Sequence, residues 1–140
     1  MIISENEWLN SNDFESDIVI VGAGAAGISM ALEFDRLGRH VILLEGGGAE
    51  FSQESQELYS GESHGVPLPY GLRGSRFRYF GGSTNCWGGG CGELDEEDFV
   101  SRDWVGLSGW PITKDDLRPW YKKAESFLNV TGPVSDPQGY

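Results

Sequence analysis

An α/β fold with a parallel sheet is predicted by three features of the sequence. Two short, continuously apolar runs, Ile18-Val19-Ile20-Val21 and His40-Val41-Ile42-Leu43-Leu44, read as strands. A glycine-rich turn follows the first run directly, and a helical stretch joins the two. Strand, glycine turn, helix and strand within about 30 residues make a βαβ unit, whose crossover is right-handed and whose strands are parallel.

Residues 1–16 are polar and acidic and read as an N-terminal tail, without the basic and apolar regions of a secretory signal. From Asp17 the character changes. The β-branched run at 18–21 is of the kind buried on both faces by flanking helices, and Gly22 ends it. Residues 24–37 read as a helix in which Ile28, Leu32 and Leu37 supply apolar contacts, Ala25, Ala26 and Ala31 permit close packing, and Gly38 provides the C-terminal stop. The second strand follows at once and stops at Glu45-Gly46-Gly47-Gly48.

Residues 49–74 show no period of 2 or 3.6 and carry Gly61, Gly65, Pro67, Pro69, Gly71 and Gly74, so they read as a long irregular excursion. A stretch of this length without structure of its own is either functional or a warning against the assignment, and a covering segment is the reading preferred here. Toward the end, Thr113 followed by Asp116 has the form of an N-cap with an acidic N3 residue. Leu117, Trp120, Tyr121, Ala124, Phe127 and Leu128 recur at helical spacing. A helix over 114–128 is predicted, within a final segment 113–130. Pro119 is expected to kink or interrupt it, and its aromatic stripe reads as core packing.

The chain has 140 residues and 15.4 kDa, with 39% hydrophobic and 23% charged residues, enough for one core and unlike a disordered or fibrous sequence. Its 21 glycines have no three-residue period; 7 fall within 22–48 and 6 within 81–92, so glycine specifies two local backbone sites. A net charge of −12 argues against nucleic acid or an anionic membrane surface as partner. Against that background Arg73, Arg76 and Arg78 form a local reversal of charge. Cys86 and Cys91 are too few for a disulfide scaffold and lack the companions a zinc site needs, so no metal is expected. No run approaches the roughly 20 apolar residues of a membrane span, and a cytoplasmic location is the expectation.

Gly22-Ala23-Gly24-Ala25-Ala26-Gly27 has the pattern G-x-G-x-x-G, which is weak in isolation and specific in this context. It follows a strand and opens a helix, and Glu45 ends the second strand 18 positions after Gly27. Gly22 permits the tight turn, Gly24 lets a pyrophosphate approach the backbone, and Gly27 lets the helix pack close to the sheet. Free N–H groups and the positive end of the helix dipole then face the phosphates. Glu45 is suited to accept hydrogen bonds from a ribose and to repel a 2′-phosphate, favouring FAD or NAD over NADP. A structural turn without nucleotide is the alternative reading.

The second cluster runs from Arg76 to Gly90: Arg76-Phe77-Arg78-Tyr79-Phe80-Gly81-Gly82-Ser83-Thr84-Asn85-Cys86-Trp87-Gly88-Gly89-Gly90. Its glycines with Ser83, Thr84 and Asn85 present backbone and side-chain donors suited to anionic oxygens or a polar ring edge. Arg76 or Arg78 is suited to neutralise a diphosphate, and Trp87 offers a rigid aromatic wall. A surface glycine loop beside solvated arginines is the alternative.

The pairing of DIVIVGAGAAG…VILLEGG with R-x-R-x-F-G-G-S-T-N-C-W-G-G, followed by Gly109-Trp110-Pro111-Ile112-Thr113 and Asp116-Leu117-Arg118-Pro119-Trp120-Tyr121, resembles the glucose–methanol–choline (GMC) family of FAD oxidoreductases. Within it, the branch of pyranose oxidase and the bacterial sugar and polyol dehydrogenases is the nearest in pattern. The resemblance covers residues 17–130.

It implies a Rossmann-like FAD-binding unit, incomplete in this chain, in which 17–48 is the dinucleotide fingerprint, 76–90 the flavin-binding glycine motif and 17–140 the opening part of the domain. Gly22, Gly24, Ala25, Ala26, Gly27, Glu45 and Gly46 would hold the ADP half of FAD. Arg76, Gly81, Gly82, Ser83, Thr84, Asn85, Cys86, Trp87, Gly88 and Gly89 would run beside the pyrophosphate, ribityl chain and flavin ring. Some relatives tether the flavin through a histidine just before the Trp; Cys86 stands there, leaving non-covalent FAD or a thioether. The implied activity is oxidation of an alcohol, polyol or sugar CH–OH group by hydride transfer to FAD, with an electron acceptor that the sequence does not select. The family's catalytic base comes from a later substrate domain. His40 and His64 do not match its motif, so no catalytic residue is assigned. A non-catalytic nucleotide-binding module and an NAD-dependent dehydrogenase are the competing readings. An incomplete parallel sheet is also expected to leave apolar faces exposed.

Overall fold

The computed structural model describes residues 3, 5–10, 13–88 and 91–130. The chain divides into two compact units, Met1–Trp87 and Gly88–Tyr140. Each is described by itself.

The first unit is built on strands β1 (Ile18–Val21) and β2 (Val41–Leu44), preceded by a short helix α1 (Glu5–Leu9) where the sequence suggests only a tail. The strands pair in parallel with Ile18 opposite Val41 and Val21 opposite Leu44. Asp17 closes the lower end of the ladder: its N–H donates to the His40 carbonyl at 2.9 Å and its carboxylate accepts the His40 N–H at 2.9 Å. At the upper end the Gly22 N–H continues the pairing onto the Leu44 carbonyl at 2.7 Å. The glycine turn is thereby fixed to the carboxyl ends of both strands, where ligands of open parallel sheets bind.

Helix α2 (Ala25–Arg36) crosses back over the sheet. It stops as the sequence predicts: Gly38 takes φ +72°, its N–H bonds to the Asp35 carbonyl, and the Arg39 N–H reaches the Phe34 carbonyl at 3.0 Å. This is a Schellman end, which needs a residue free of the Cβ penalty at the left-handed position. Gly27 sets the closeness of the helix. A Cβ placed there would lie 1.9 Å from the Gly22 carbonyl oxygen and 3.5 Å from Ile20 Cγ2.

The continuously apolar β1 run suggests burial on both faces, and the structure covers one. Ile20 is buried under α2, whereas Val19 and Val21 are 56% and 83% exposed. Successive strand side chains point to opposite faces, and among the described residues α2 covers only the Ile20 side. Leu32 and Leu37, expected as packing residues of α2, are likewise exposed.

The excursion is not wholly irregular. It contains α3 (Gln53–Glu57), capped by the Ser52 hydroxyl accepting the Ser55 N–H at 3.1 Å, and a single turn α4 (Gly71–Gly74). Helices of one turn are too short to display a hydrophobic period. Phe51, Phe77 and Tyr79 meet edge to face with centroids 6.0–6.3 Å apart, joining the start of the excursion to the segment after it.

The second unit holds α5 (Glu96–Phe99) and α6 (Lys114–Phe127), each opened by a reciprocal capping box: Asp95 with Asp98, and Thr113 with Asp116. Helix α6 runs through Pro119 instead of being interrupted there. Proline at the sixth helical position removes only the bond to the Asp115 carbonyl, and the flanking turns persist. The Lys114 ammonium lies 3.4 Å from Glu93 and the Tyr121 hydroxyl accepts the Leu94 N–H at 3.2 Å, holding the segment before α5 on α6. The aromatic stripe of α6 is not a closed core. Trp120 and Phe127 are more than half exposed, with the Lys123 ammonium 4.5 Å over the Trp120 ring. Among the described residues no helix is long and apolar enough to cross a membrane.

Two outcomes follow from this packing. Gly27→Ala drives a methyl group into the backbone at Gly22, and a loss at the upper end of the overpacking range, about 3 kcal/mol, is expected in a thermal or denaturant melt. At α6, the Thr113 N–H and then its hydroxyl hold the Asp116 carboxyl below its ordinary 3.8. A depressed folded-state value stabilises above the unfolded value and is lost as pH falls through the folded one. Helicity followed by circular dichroism should therefore fall on acidification below about pH 4, and Asp116→Asn should remove that limb of the titration.

Candidate functional site

The three fingerprint glycines do three separable things. Gly22 takes φ +100°, a left-handed conformation that turns the chain sharply out of β1. Gly24 is the N-cap of α2 in an extended conformation, and the first helical bond runs from the Ile28 N–H to its carbonyl at 2.9 Å. The N–H groups of Ala25, Ala26 and Gly27 precede that bond and sit at the positive end of the helix. A Cβ on Gly24 would meet nothing within 4 Å, so the space before these donors is open. Gly27, in contrast, is buried against Gly22. An open cradle at Gly24, bordered by helix N-terminal amides, fits a pyrophosphate.

Glu45 follows β2 directly. Its Oε2 accepts the Ala23 N–H at 2.8 Å and its Oε1 accepts the Gly47 N–H at 2.9 Å. In the structure the carboxylate suggested by the sequence as a ribose acceptor is a brace between the Gly22–Gly24 turn and the turn after β2. Each oxygen keeps a second acceptor direction, so the brace and a ribose contact are compatible. Gly47 has to be glycine, since its Cβ would lie 2.2 Å from the Arg78 carbonyl oxygen. The Cβ of Gly46 would lie 2.5 Å from the Arg78 guanidinium.

The second glycine cluster arrives at the same place. Phe80 N–H donates to the Gly48 carbonyl at 2.9 Å, and Gly81 N–H donates to the Ala23 carbonyl at 2.8 Å. Gly81 and Gly82 both adopt positive φ, +90° and +56°, and a Cβ on Gly82 would stand 3.5 Å from Gly24 Cα. The two glycine motifs, far apart in sequence, meet backbone to backbone.

The polar side chains of that cluster are used differently from the sequence reading. In the 3-10 turn Gly82–Cys86 they hold the loop. Ser83 accepts the Phe77 N–H at 3.2 Å, Thr84 donates to the Gly81 carbonyl, and the Asn85 amide donates to the Phe80 and Gly82 carbonyls at 2.9 and 3.0 Å. Cys86 ends the turn and is exposed. Trp87 follows in extended backbone and is also exposed. A Cβ on Gly88 would meet nothing within 4 Å, and Gly89 lies outside the described residues.

The arginines separate. Arg78 is brought to the glycine turns, its guanidinium beside Gly46 and donating to the Ser55 hydroxyl at 2.8 Å. Arg76 stacks on the Tyr59 ring at 4.4 Å, and Arg73 pairs with Glu57 at 2.5 Å, which holds the Glu57 carboxyl below its ordinary range. The histidines stand elsewhere: His40 is exposed at the amino end of β2, opposite the glycine turns, and the exposed His64 lies 3.8 Å from Glu62. Sequence reading overlooked Gln56, which is 4% exposed. Nothing in its local sequence marks it, because its burial comes from a segment some twenty positions away.

Residues 17–60 match a family model described as an FAD binding domain. The chain is 27% identical over 143 residues to a 2-methyl-1,2-propanediol dehydrogenase from Mycolicibacterium austroafricanum, covering 88% of this chain and 26% of that protein. It is 31% identical over 144 residues to an uncharacterized GMC-type oxidoreductase, y4nJ, from Sinorhizobium fredii, covering 92% of this chain and 28% of that protein. The chain therefore spans about a quarter of the length of these relatives. No solved structure matches it significantly.

The glycines predict a contrast. Gly24→Val places its side chain in open space, so a melt should lose no more than about 1 kcal/mol, the difference between Gly and Val at an N-cap, while flavin dinucleotide binding, measured by flavin fluorescence quenching, should fall at least about tenfold, the cost of one displaced charge-assisted contact. Gly27→Ala should lose the fold first.

Proposed function

Because this chain belongs to the glucose–methanol–choline family of FAD oxidoreductases, we propose that it is the FAD-binding part of an enzyme that oxidises a CH–OH group of an alcohol, polyol or sugar. FAD is the cofactor. The observation that carries the reading is the meeting of the two glycine motifs: Gly81 bonds to Ala23, and Gly82 lies against Gly24 at the open cradle. One elongated dinucleotide accounts for both motifs, whereas an NAD-type site would leave the second without a purpose.

In this reading the amides at the start of α2 bind the pyrophosphate, and Glu45 braces the turn while offering its remaining acceptor directions to the ribose. The 81–87 segment lies along the rest of the cofactor. When bound, FAD supplies the two-electron acceptor for hydride from the donor carbon, chemistry that belongs to the flavin. The chain's part is binding, orientation and a fixed electrostatic setting.

The proton of the donor hydroxyl needs a base, and neither histidine fits that role: His40 is at the wrong end of the sheet and His64 stands in solvent beside Glu62. We assign the base to a part of the protein outside these residues. We take the flavin to be held without a covalent bond; Cys86, exposed at the end of its turn, is where a thioether would form instead. The CH–OH class draws support from the diol dehydrogenase among the relatives.

The test is spectroscopic. Purified protein that includes the part supplying the base should carry a flavin absorbance that is bleached anaerobically by a donor from a panel of diols, polyols and sugars, and denaturation should release all of the flavin. Binding of NAD without flavin, or a bound flavin that no CH–OH donor reduces, would overturn the reading. Flavin retained by the denatured chain would overturn the non-covalent assignment.

A further inference from the structure

Gln56 is the one buried polar side chain among the described residues, and each of its hydrogen-bonding groups is used. Its amide nitrogen donates to the carbonyls of Arg73 and Arg76 at 2.5 and 2.7 Å, and its amide oxygen accepts the Arg78 N–H at 3.1 Å. The neighbouring Ser55 completes the set: its hydroxyl donates to the Arg78 carbonyl at 3.0 Å and accepts from the Arg78 guanidinium at 2.8 Å.

Two consecutive side chains of α3 thus hold both backbone groups and the side chain of Arg78. From Arg78 the chain proceeds directly into the bonds that seat the second glycine motif on the first: Phe80 on Gly48, Gly81 on Ala23, and Gly82 against Gly24. A slip of the 76–80 segment along α3 would carry those contacts out of register.

We propose that Gln56, together with Ser55, is a positioning pair that sets the register of the 76–82 segment on the phosphate turn and so aligns the two glycine motifs along one dinucleotide. It touches no ligand atom and acts through the backbone of residues 73–78. A buried amide suits this task. Only Gln or Asn offers two donors and an acceptor from one uncharged group, and the backbone groups it meets would otherwise be buried unpaired. The inference rests on the FAD reading given above.

The experiment measures FAD and ADP affinity separately on the full chain, for the wild type, Gln56→Met and Ser55→Ala. ADP reports the phosphate turn alone, while FAD requires both motifs in alignment. Gln56→Met keeps side-chain volume and removes all three hydrogen bonds. The expected result is FAD affinity reduced about tenfold or more, ADP affinity within about threefold of wild type, and faster amide hydrogen exchange at Gly81 and Gly82. Ser55→Ala, which leaves the Gln56 network whole, should show the same pattern more weakly and decides the matter if Gln56→Met does not fold. FAD affinity unchanged in a folded variant, or FAD and ADP weakened alike in Ser55→Ala, would overturn the proposal. Wild-type protein that binds ADP and not FAD would overturn the functional reading beneath it.

Discussion

Ala23 is 1% exposed, and both of its backbone polar groups are committed to distant parts of the chain: its N–H to the Glu45 carboxylate and its carbonyl to the Gly81 N–H. A buried peptide group left without a partner costs about 1–3 kcal/mol, so the Glu45 carboxylate and the Gly81 N–H each add to the stability of this turn between the two leading fingerprint glycines. Gly22 and Gly24 on either side allow the chain to present Ala23 this way. The side chain of Ala23 is small enough to be enclosed.

The brace through Glu45 has a consequence for binding. A carboxylate accepting two backbone N–H groups is oriented before any ligand arrives, and the phosphate turn is held to the turn after β2 at the same time. Preorganisation of this kind reduces the ordering cost of binding. The side chains of Ser83, Thr84 and Asn85 work in the same direction by spending their hydrogen bonds on the loop that carries them. What the loop then presents outward is largely backbone, and a site built from backbone depends strongly on register. That dependence is the basis of the positioning role proposed for the buried Gln56.

Burial is concentrated at this junction. Ala23, Gly27, Gly81, Ile20 and Gln56 are buried, while Val19 and Val21 on the opposite face of β1 and much of the α6 stripe face solvent. The first unit is therefore held together more by backbone hydrogen bonds and close glycine packing than by a large apolar interior. The bare face of β1 retains the composition of a covered strand, which is why its sequence reads as buried on both sides.

The βαβ unit, the glycine stop of α2, the capping box of α6 and the dinucleotide fingerprint with Glu45 were all legible in the sequence, because each depends on residue types at short, fixed spacing. A Gly at a left-handed position or a Thr three residues before an Asp carries its own reason. The resemblance carried by the second cluster also named FAD before any geometry was known. The tertiary structure decided the rest. It placed Gly81 on Ala23 and Gly82 on Gly24, made Glu45 a brace between two turns, separated Arg78 from Arg76 and Arg73, and buried Gln56. It also turned the polar residues of the second cluster toward their own loop and left Val19 and Val21 of β1 exposed. The bonds of Ser83, Thr84 and Asn85 stay within six residues; the others have no local signal, since the hydrogen-bond partner or the neighbour against a missing Cβ is supplied by a distant segment, and only the path of the folded chain determines which segment arrives.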